Sequence, residues 1–411
     1  MRSDRSFLKL LVPLLLFSAL ILSCSKETTS PVYKNYVSKE VSLQFTREYL
    51  SSLVDAVSGT NPEVLQLKPL ITSDITVYKI VYKTNVNGEE INGSGLVSVP
   101  ATPGDYPVLS FQNGTNTVNA YSPSENPSDY SYQMIELIAS LGYIVVISDY
   151  PGFGASASIP HPYLVKEHTV RSLVDNLYAV KELAASELPG INLINEYYLL
   201  GYSQGGWATL ALHKALEADY SEDFDLIGSA CGAGPYDIYM LLEGMINVTT
   251  YPMPVYLGYI INAYTAYDQF TNTVNDIFNE PYASRISTLY TGLLTSSEIN
   301  NQLTTSIPEL INPEFLAGFG SAPEYSSVTD ALNSNSISAW HSYKHLLLLH
   351  GANDIDVNPA STENMYSAMI DAGTSENICS KVIIPDADHE SGILPAMIQG
   401  ILFLNDLKNS R

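Results

Sequence analysis

Apolar and polar positions change rhythm along the chain, and the change divides it. Residues 40–57, EVSLQFTREYLSSLVDAV, carry apolar side chains at helical spacing and predict a helix. The runs ITVYKIVYKT (75–84) and INGSGLVSVP (91–100) alternate instead, and the Asn87-Gly88 pair between them predicts an antiparallel hairpin. Beyond it the apolar runs become continuous: YPVLSFQ (106–112), YIVVISD (143–149), NEYYLLG (195–201), FDLIGSACG (224–232), KHLLLLHG (344–351) and CSKVIIPD (379–386). Helices are predicted near 129–141, over 168–187 and 204–218, and near 359–372 and 392–407. Buried strands alternating with helices require a mostly parallel sheet with helices on both faces, so the fold class is α/β. The leading hairpin adds antiparallel strands at one edge.

Residues 235–343 break this alternation. A connection that long needs structure of its own, and it is read as a helical cap inserted over the strand ends. Its stretch YPMPVYLGYIINAYTAY holds Tyr251, Tyr256, Tyr259, Tyr264 and Tyr267. Most of these are expected to pack the cap, with one or two lining a pocket. The division is then a core over 39–234, the cap over 235–343 and the rest of the core over 344–411.

The first residues follow other rules. Residues 1–24 have a basic start, the apolar run LLVPLLLFSALIL and the ending LILSC, which is the layout of a secretory signal. LILSC resembles a bacterial lipobox, so Cys24 is the expected lipidation site, anchoring an extracytoplasmic protein to the cell envelope at the bacterial outer membrane. Residues 25–38 read as a polar tether. The 411 residues carry a formal charge of -24, and losing the leader takes it to about -26. Such a surface excludes nucleic acid as a partner. Cys231 and Cys379 match no zinc spacing; a buried thiol is expected at Cys231, and a bridge between the two is left open.

The chemistry centres on GYSQGG (201–206). Ser203 stands between a buried strand and a helix, the setting of a nucleophile elbow. A serine hydroxyl needs a base to take its proton, and in such elbows acid and base follow in the order Ser, Asp, His. The chain has seven histidines, and only His389 lies past the late strand whose end carries Asp354. Asp356 competes with Asp354 as the acid, and the spacing from Gly351 to Val357 favours Asp354. The N–H of Gln204 is one expected oxyanion donor, and Gly114 or Thr115 in SFQNGTN supplies the other. Pro151, Gly152 and Gly154 in SDYPGFGASAS, with HPY after it, are read as a turn shaping the pocket wall, held by Asp149.

GYSQGG, HGANDIDV and DADH resemble the three catalytic segments of the α/β-hydrolase superfamily. FQNGT and DYPGFGAS with HPY resemble its branch of secreted fungal lipases and related bacterial esterases. Over roughly residues 75–410 the resemblance implies an α/β-hydrolase fold, a triad of Ser203, Asp354 and His389, no metal or other cofactor, and hydrolysis of a small-molecule or lipid ester under a lid inserted after the sixth strand of the full sheet. Asn113 stands where such oxyanion loops often have histidine. The alternatives are amide or peptide cleavage or acyl transfer by the same triad, or a surface lipoprotein that binds without chemistry.

Overall fold

The computed structural model describes residues 34–411; the signal segment with Cys24, and the tether up to residue 33, lie outside the described residues. Nine strands form one sheet: β1 (Tyr36–Phe45), β2 (Ile75–Val86), β3 (Glu89–Pro100), β4 (Gly104–Gln112), β5 (Ile144–Ser148), β6 (Ile191–Tyr202), β7 (Asp225–Gly232), β8 (His345–Gly351) and β9 (Cys379–Ile384). Their order across the sheet is β1-β2-β3-β5-β4-β6-β7-β8-β9. Pairing is antiparallel from β1 through β3 to β5 and parallel from β5 to β9. The hairpin turn places Asn87 at φ 53° and Gly88 at φ 84°, which a two-residue primed turn requires.

Successive strand residues point to opposite faces, and each face has its own core. Val108, Leu199, Leu346 and Leu348 face one core, with the helices Lys166–Glu187 and Gln204–Ala218. Leu109, Leu200, Leu347 and Leu349 face the other, with the helices Arg47–Ser58 and Ile393–Asn409 and the 3-10 turn Pro62–Leu70. Both faces of every parallel strand are therefore covered, which is why these strands read as unbroken apolar runs. The fold is that of the α/β-hydrolases.

The start of the described chain departs from the expected single helix over 40–57. Residues 40–45 belong to β1, and the helix begins at Arg47, with Thr46 capping it through Tyr49 N–H at 3.2 Å. Val41, Leu43 and Phe45 recur with a period of two, and the edge of β2 offers a free ladder for them. Residues 36–38 of the expected tether are strand as well, and the Glu182 carboxylate accepts the backbone N–H groups of Lys34, Asn35 and Tyr36 at 3.0, 3.0 and 2.7 Å. Between β7 and β8 the chain forms short helices from Ile238–Ile246 to Ser326–Asn335. Their apolar side chains merge with the first core. Cys231 and Cys379 are free and buried.

Candidate active site

β6 ends at Tyr202 and the helix Gln204–Ala218 begins two residues later, leaving Ser203 alone in the turn. Its backbone lies at φ 59°, ψ -124°, a conformation that non-glycine residues rarely hold. Neighbouring helix and strands come too close for side chains. A Cβ on Gly201 would sit 2.4 Å from the Gly205 carbonyl oxygen, and one on Gly205 would sit 1.9 Å from that of Gln112. The Ser203 N–H is bonded to the Gly232 carbonyl at 2.9 Å, tying the turn to β7.

Asp354 follows β8, and His389 follows β9. His389 Nε2 lies 2.9 Å from Ser203 Oγ, and its Nδ1 donates to Asp354 Oδ2 at 2.6 Å. The three residues singled out in the sequence are thus brought together in one hydrogen-bonded line. Asp356 is not in that line; its N–H, with that of Val357, donates to Asp354 Oδ1, each at 2.9 Å. Asp388 closes the histidine loop by accepting from Ser391 N–H at 2.8 Å.

A residue the sequence reading passed over also meets Asp354. His350, fully buried at the end of β8, places Nε2 3.1 Å from Asp354 Oδ2 and 2.9 Å from the Val357 carbonyl. Both partners are acceptors, so Nε2 carries the hydrogen. Burial pushes the Asp354 carboxyl up, but hydrogen bonds from His350 and His389, the charge on His389 and the Val357 N–H outweigh it and hold the group down at about 2. The signal was available in HGAND, where histidine precedes aspartate by four residues at a strand end.

The loop after β4 lies against the elbow. A Cβ on Gly114 would be 3.6 Å from the Tyr202 carbonyl and 3.9 Å from Ser203 Cβ. Gln204 occupies the first helical position, where a backbone N–H has no carbonyl of a preceding turn to meet. Its side chain is held by His161, whose Nε2 lies 2.9 Å from Gln204 Nε2 while Nδ1 donates to the Pro151 carbonyl at 2.8 Å. Burial lowers the His161 pKa to about 4, so the ring is neutral and its Nε2 accepts. Thr115 Oγ1 pairs with Tyr163 OH at 3.0 Å, and Tyr259 stacks on Tyr163 while donating to the Asn116 carbonyl at 3.1 Å. Asp149 is buried and accepts from Ser94 and from the Ser124 N–H, holding the turn beside this loop.

A cavity of about 720 Å³ opens at Ser203 and His389 and is bordered by Gly114 and Thr115. Of the tyrosine row only Tyr256 lines it; Tyr251, Tyr259, Tyr264 and Tyr267 are buried in packing. Among the described residues no group of three or more His, Cys, Asp or Glu side chains is placed to hold a metal ion, and no helix is long and apolar enough to cross a membrane.

Residues 128–301 match the model of the secretory lipase family, a stretch that contains Ser203 but neither Asp354 nor His389. Among solved structures, the chain is similar to a Legionella pneumophila protein assigned as a hydrolase, at 26% identity over 91% of this chain and 98% of that one, with a TM-score of 0.81. It is similar in fold to the rice cell wall degrading esterase LipA from Xanthomonas oryzae, at 22% identity over 92% and 98%, TM-score 0.76. Candida antarctica lipase A is a more distant likeness, at 15% identity over 91% and 82%, TM-score 0.64. Comparison with curated proteins gives no match. The family match and the esterase and lipase neighbours support an ester hydrolase.

Proposed function

We propose that the protein is a serine hydrolase of carboxylic esters. Ser203 attacks the ester carbonyl as His389 Nε2 takes its proton. Asp354 holds His389 in the tautomer that presents Nε2 and stabilises the imidazolium once it forms. The backbone N–H of Gln204 and one from Gly114 or Thr115 receive the oxyanion. His389 then protonates the leaving alcohol, and an acyl-Ser203 ester remains. Water, deprotonated by His389, releases the acid and restores the serine. The observation that carries this reading is the contact of His389 with Ser203 at 2.9 Å and with Asp354 at 2.6 Å.

The LILSC ending of the leader supports an extracytoplasmic protein held at the membrane by lipid on Cys24. Acyl chains on one cysteine would anchor it firmly while the folded part remains in water. A mature amino terminus whose mass matches an unmodified Cys24 would contradict the anchor.

The enzyme reading is tested with p-nitrophenyl acetate. Ser203→Ala is expected to lower kcat by about 10⁴-fold or more, with circular dichroism unchanged. Hydrolysis at the wild-type rate in a folded Ser203→Ala protein would contradict it.

A further inference from the structure

The helices Lys166–Glu187 and Gln204–Ala218 border a second cavity, of about 640 Å³, toward the end of the latter that lies away from Ser203. No residue borders both this cavity and the one at Ser203. Its wall gathers positive charge. Lys166, Arg171 and Lys214 line it beside the buried His168, on a chain whose formal charge is -24. Glu167 and Asp219 border it too, both exposed.

The two lysines are satisfied differently from most others. Lys68, Lys79, Lys83, Lys344 and Lys381 each meet a carboxylate. Lys166 Nζ instead donates to the Ser334 and Ser336 carbonyls at 2.6 and 2.8 Å. Lys214 Nζ donates to the Ser338 carbonyl at 2.8 Å and to its hydroxyl at 2.7 Å. These bonds tie the chain returning from the inserted helices to the core, but their acceptors are neutral and leave both ammonium charges uncompensated. Burial, and after it the Lys214 charge, lowers the Lys166 pKa, and burial lowers that of Lys214. Two partly buried like charges side by side are costly until an anion joins them. Each ammonium has a third N–H to offer. Arg171 spends Nε on Asp175 Oδ2 at 3.0 Å, and the two NH2 groups of its fork lie outside that bond.

We infer that this cavity binds a phosphate monoester, with the phosphate group between Lys166, Lys214 and Arg171 and the organic part against Val170, Ala211, Ala215 and Ile337. Three cationic groups match the three oxygens and the charge of about -2 that such a phosphate carries. A carboxylate offers two oxygens and one charge. A cavity of about 640 Å³ is the size that takes a small organic molecule rather than a bare ion. The inference is independent of the serine-hydrolase reading, and binding rather than turnover tests it.

The test is isothermal titration calorimetry with glycerol 3-phosphate, measured against chloride at equal ionic strength. Saturable binding with a Kd at or below about 1 mM is expected. Lys214→Gln and Arg171→Gln should each weaken it at least about tenfold, the loss of one hydrogen bond to a charged group. Arg171→Gln leaves the lysine bonds to Ser334, Ser336 and Ser338 in place, so it carries the comparison if Lys214→Gln loosens the fold. Saturating glycerol 3-phosphate should also raise the wild-type Tm. A second arm presents the same group on a membrane, as phosphatidate in phosphatidylcholine vesicles. Flotation with these vesicles and not with pure phosphatidylcholine, lost in both variants, identifies a lipid headgroup as the source; saturation by glycerol 3-phosphate without flotation identifies a soluble ester. Failure of both probes to bind overturns the inference, as does an affinity unchanged in every folded variant.

Discussion

Tyr264 and Ile401 lie on opposite faces of one sheet, and their surroundings differ in kind. Around Tyr264 the inserted helices bury Tyr259, Phe278 and Phe315 in the same core as Trp207 and Tyr236. Rings stack there, with Tyr259 on Tyr163 at 4.4 Å and on Tyr290 at 4.7 Å between centroids. Around Ile401 the packing is mostly aliphatic, and it is interrupted by the cavity that reaches Ser203. The aromatic richness of residues 235–343 therefore serves the cohesion of a segment built from short helices. The cavity beside Ser203 is lined mainly by the segment 111–135 and the helix Ile393–Asn409, with Val57 and Leu67 from the start of the core. One inserted side chain, Tyr256, crosses from the first role to the second.

That contrast can be broken by substitution. Tyr264 is fully buried, and its hydroxyl donates to the Leu164 carbonyl at 3.2 Å. Tyr264→Ala should cost about 3–5 kcal/mol in urea unfolding, as large-to-small changes of buried aromatic residues do. Tyr256→Ala, at the cavity wall, should cost much less and alter ester preference instead. Equal stability losses in both would erase the distinction between a cohesive ring and a lining one.

His350 tests the other side of the comparison, where polar groups rather than rings fix the geometry. His350→Gln should lower kcat by about tenfold to a hundredfold, the worth of one hydrogen bond to a charged group. The pH dependence of stability gives a readout that simple misfolding would not. Asp354 has a folded pKa of about 2, below its unfolded value. The stability it contributes is present above about pH 4 and is lost as pH falls toward 2. Removing the His350 donor should shift that acid loss to higher pH. An acid unfolding profile identical to wild type would contradict the role given to His350.

At about pH 5 the effect of Glu136 is smaller than these, and it grows as pH rises. Its carboxyl oxygens are buried without a hydrogen-bond partner among the described residues, and burial raises its pKa from 4.5 to about 8. The unfolded chain releases this proton near pH 4.5 while the folded protein holds it, so its effect on stability is to lower it as pH rises from 4.5 to 8. Glu136→Gln should remove that slope and stabilise the protein by up to about 4 kcal/mol at pH 9 relative to its effect at pH 5. A Glu136→Gln effect that does not change with pH would show that the carboxyl is not desolvated.

Much of this arrangement was legible before the structure. The parallel strands announce themselves because they are buried on both faces, as in IVVIS of β5. Gly201 and Gly205 mark the elbow because backbone approaches within a Cβ radius there. Chain order leaves His389 as the candidate base, and its Nε2 lies 2.9 Å from Ser203 Oγ. β1 was hidden because its period of two covers half a window that, taken with the helix after it, reads as helical. His350 was hidden because a histidine inside an apolar run looks like core. The cavity was hidden for a deeper reason. It is assembled from four segments far apart in sequence, and an amphipathic pattern states which face turns inward without stating whether the faces meet.

The central claim is that Ser203 is a nucleophile activated by His389. Its most direct test is the site and rate of reaction with a fluorophosphonate, read by mass spectrometry of the digested protein. The account predicts a single adduct on the peptide carrying Ser203, formed at least about 10³-fold more slowly in His389→Ala. An adduct on another residue, or labelling of Ser203 at an undiminished rate in folded His389→Ala, would contradict it.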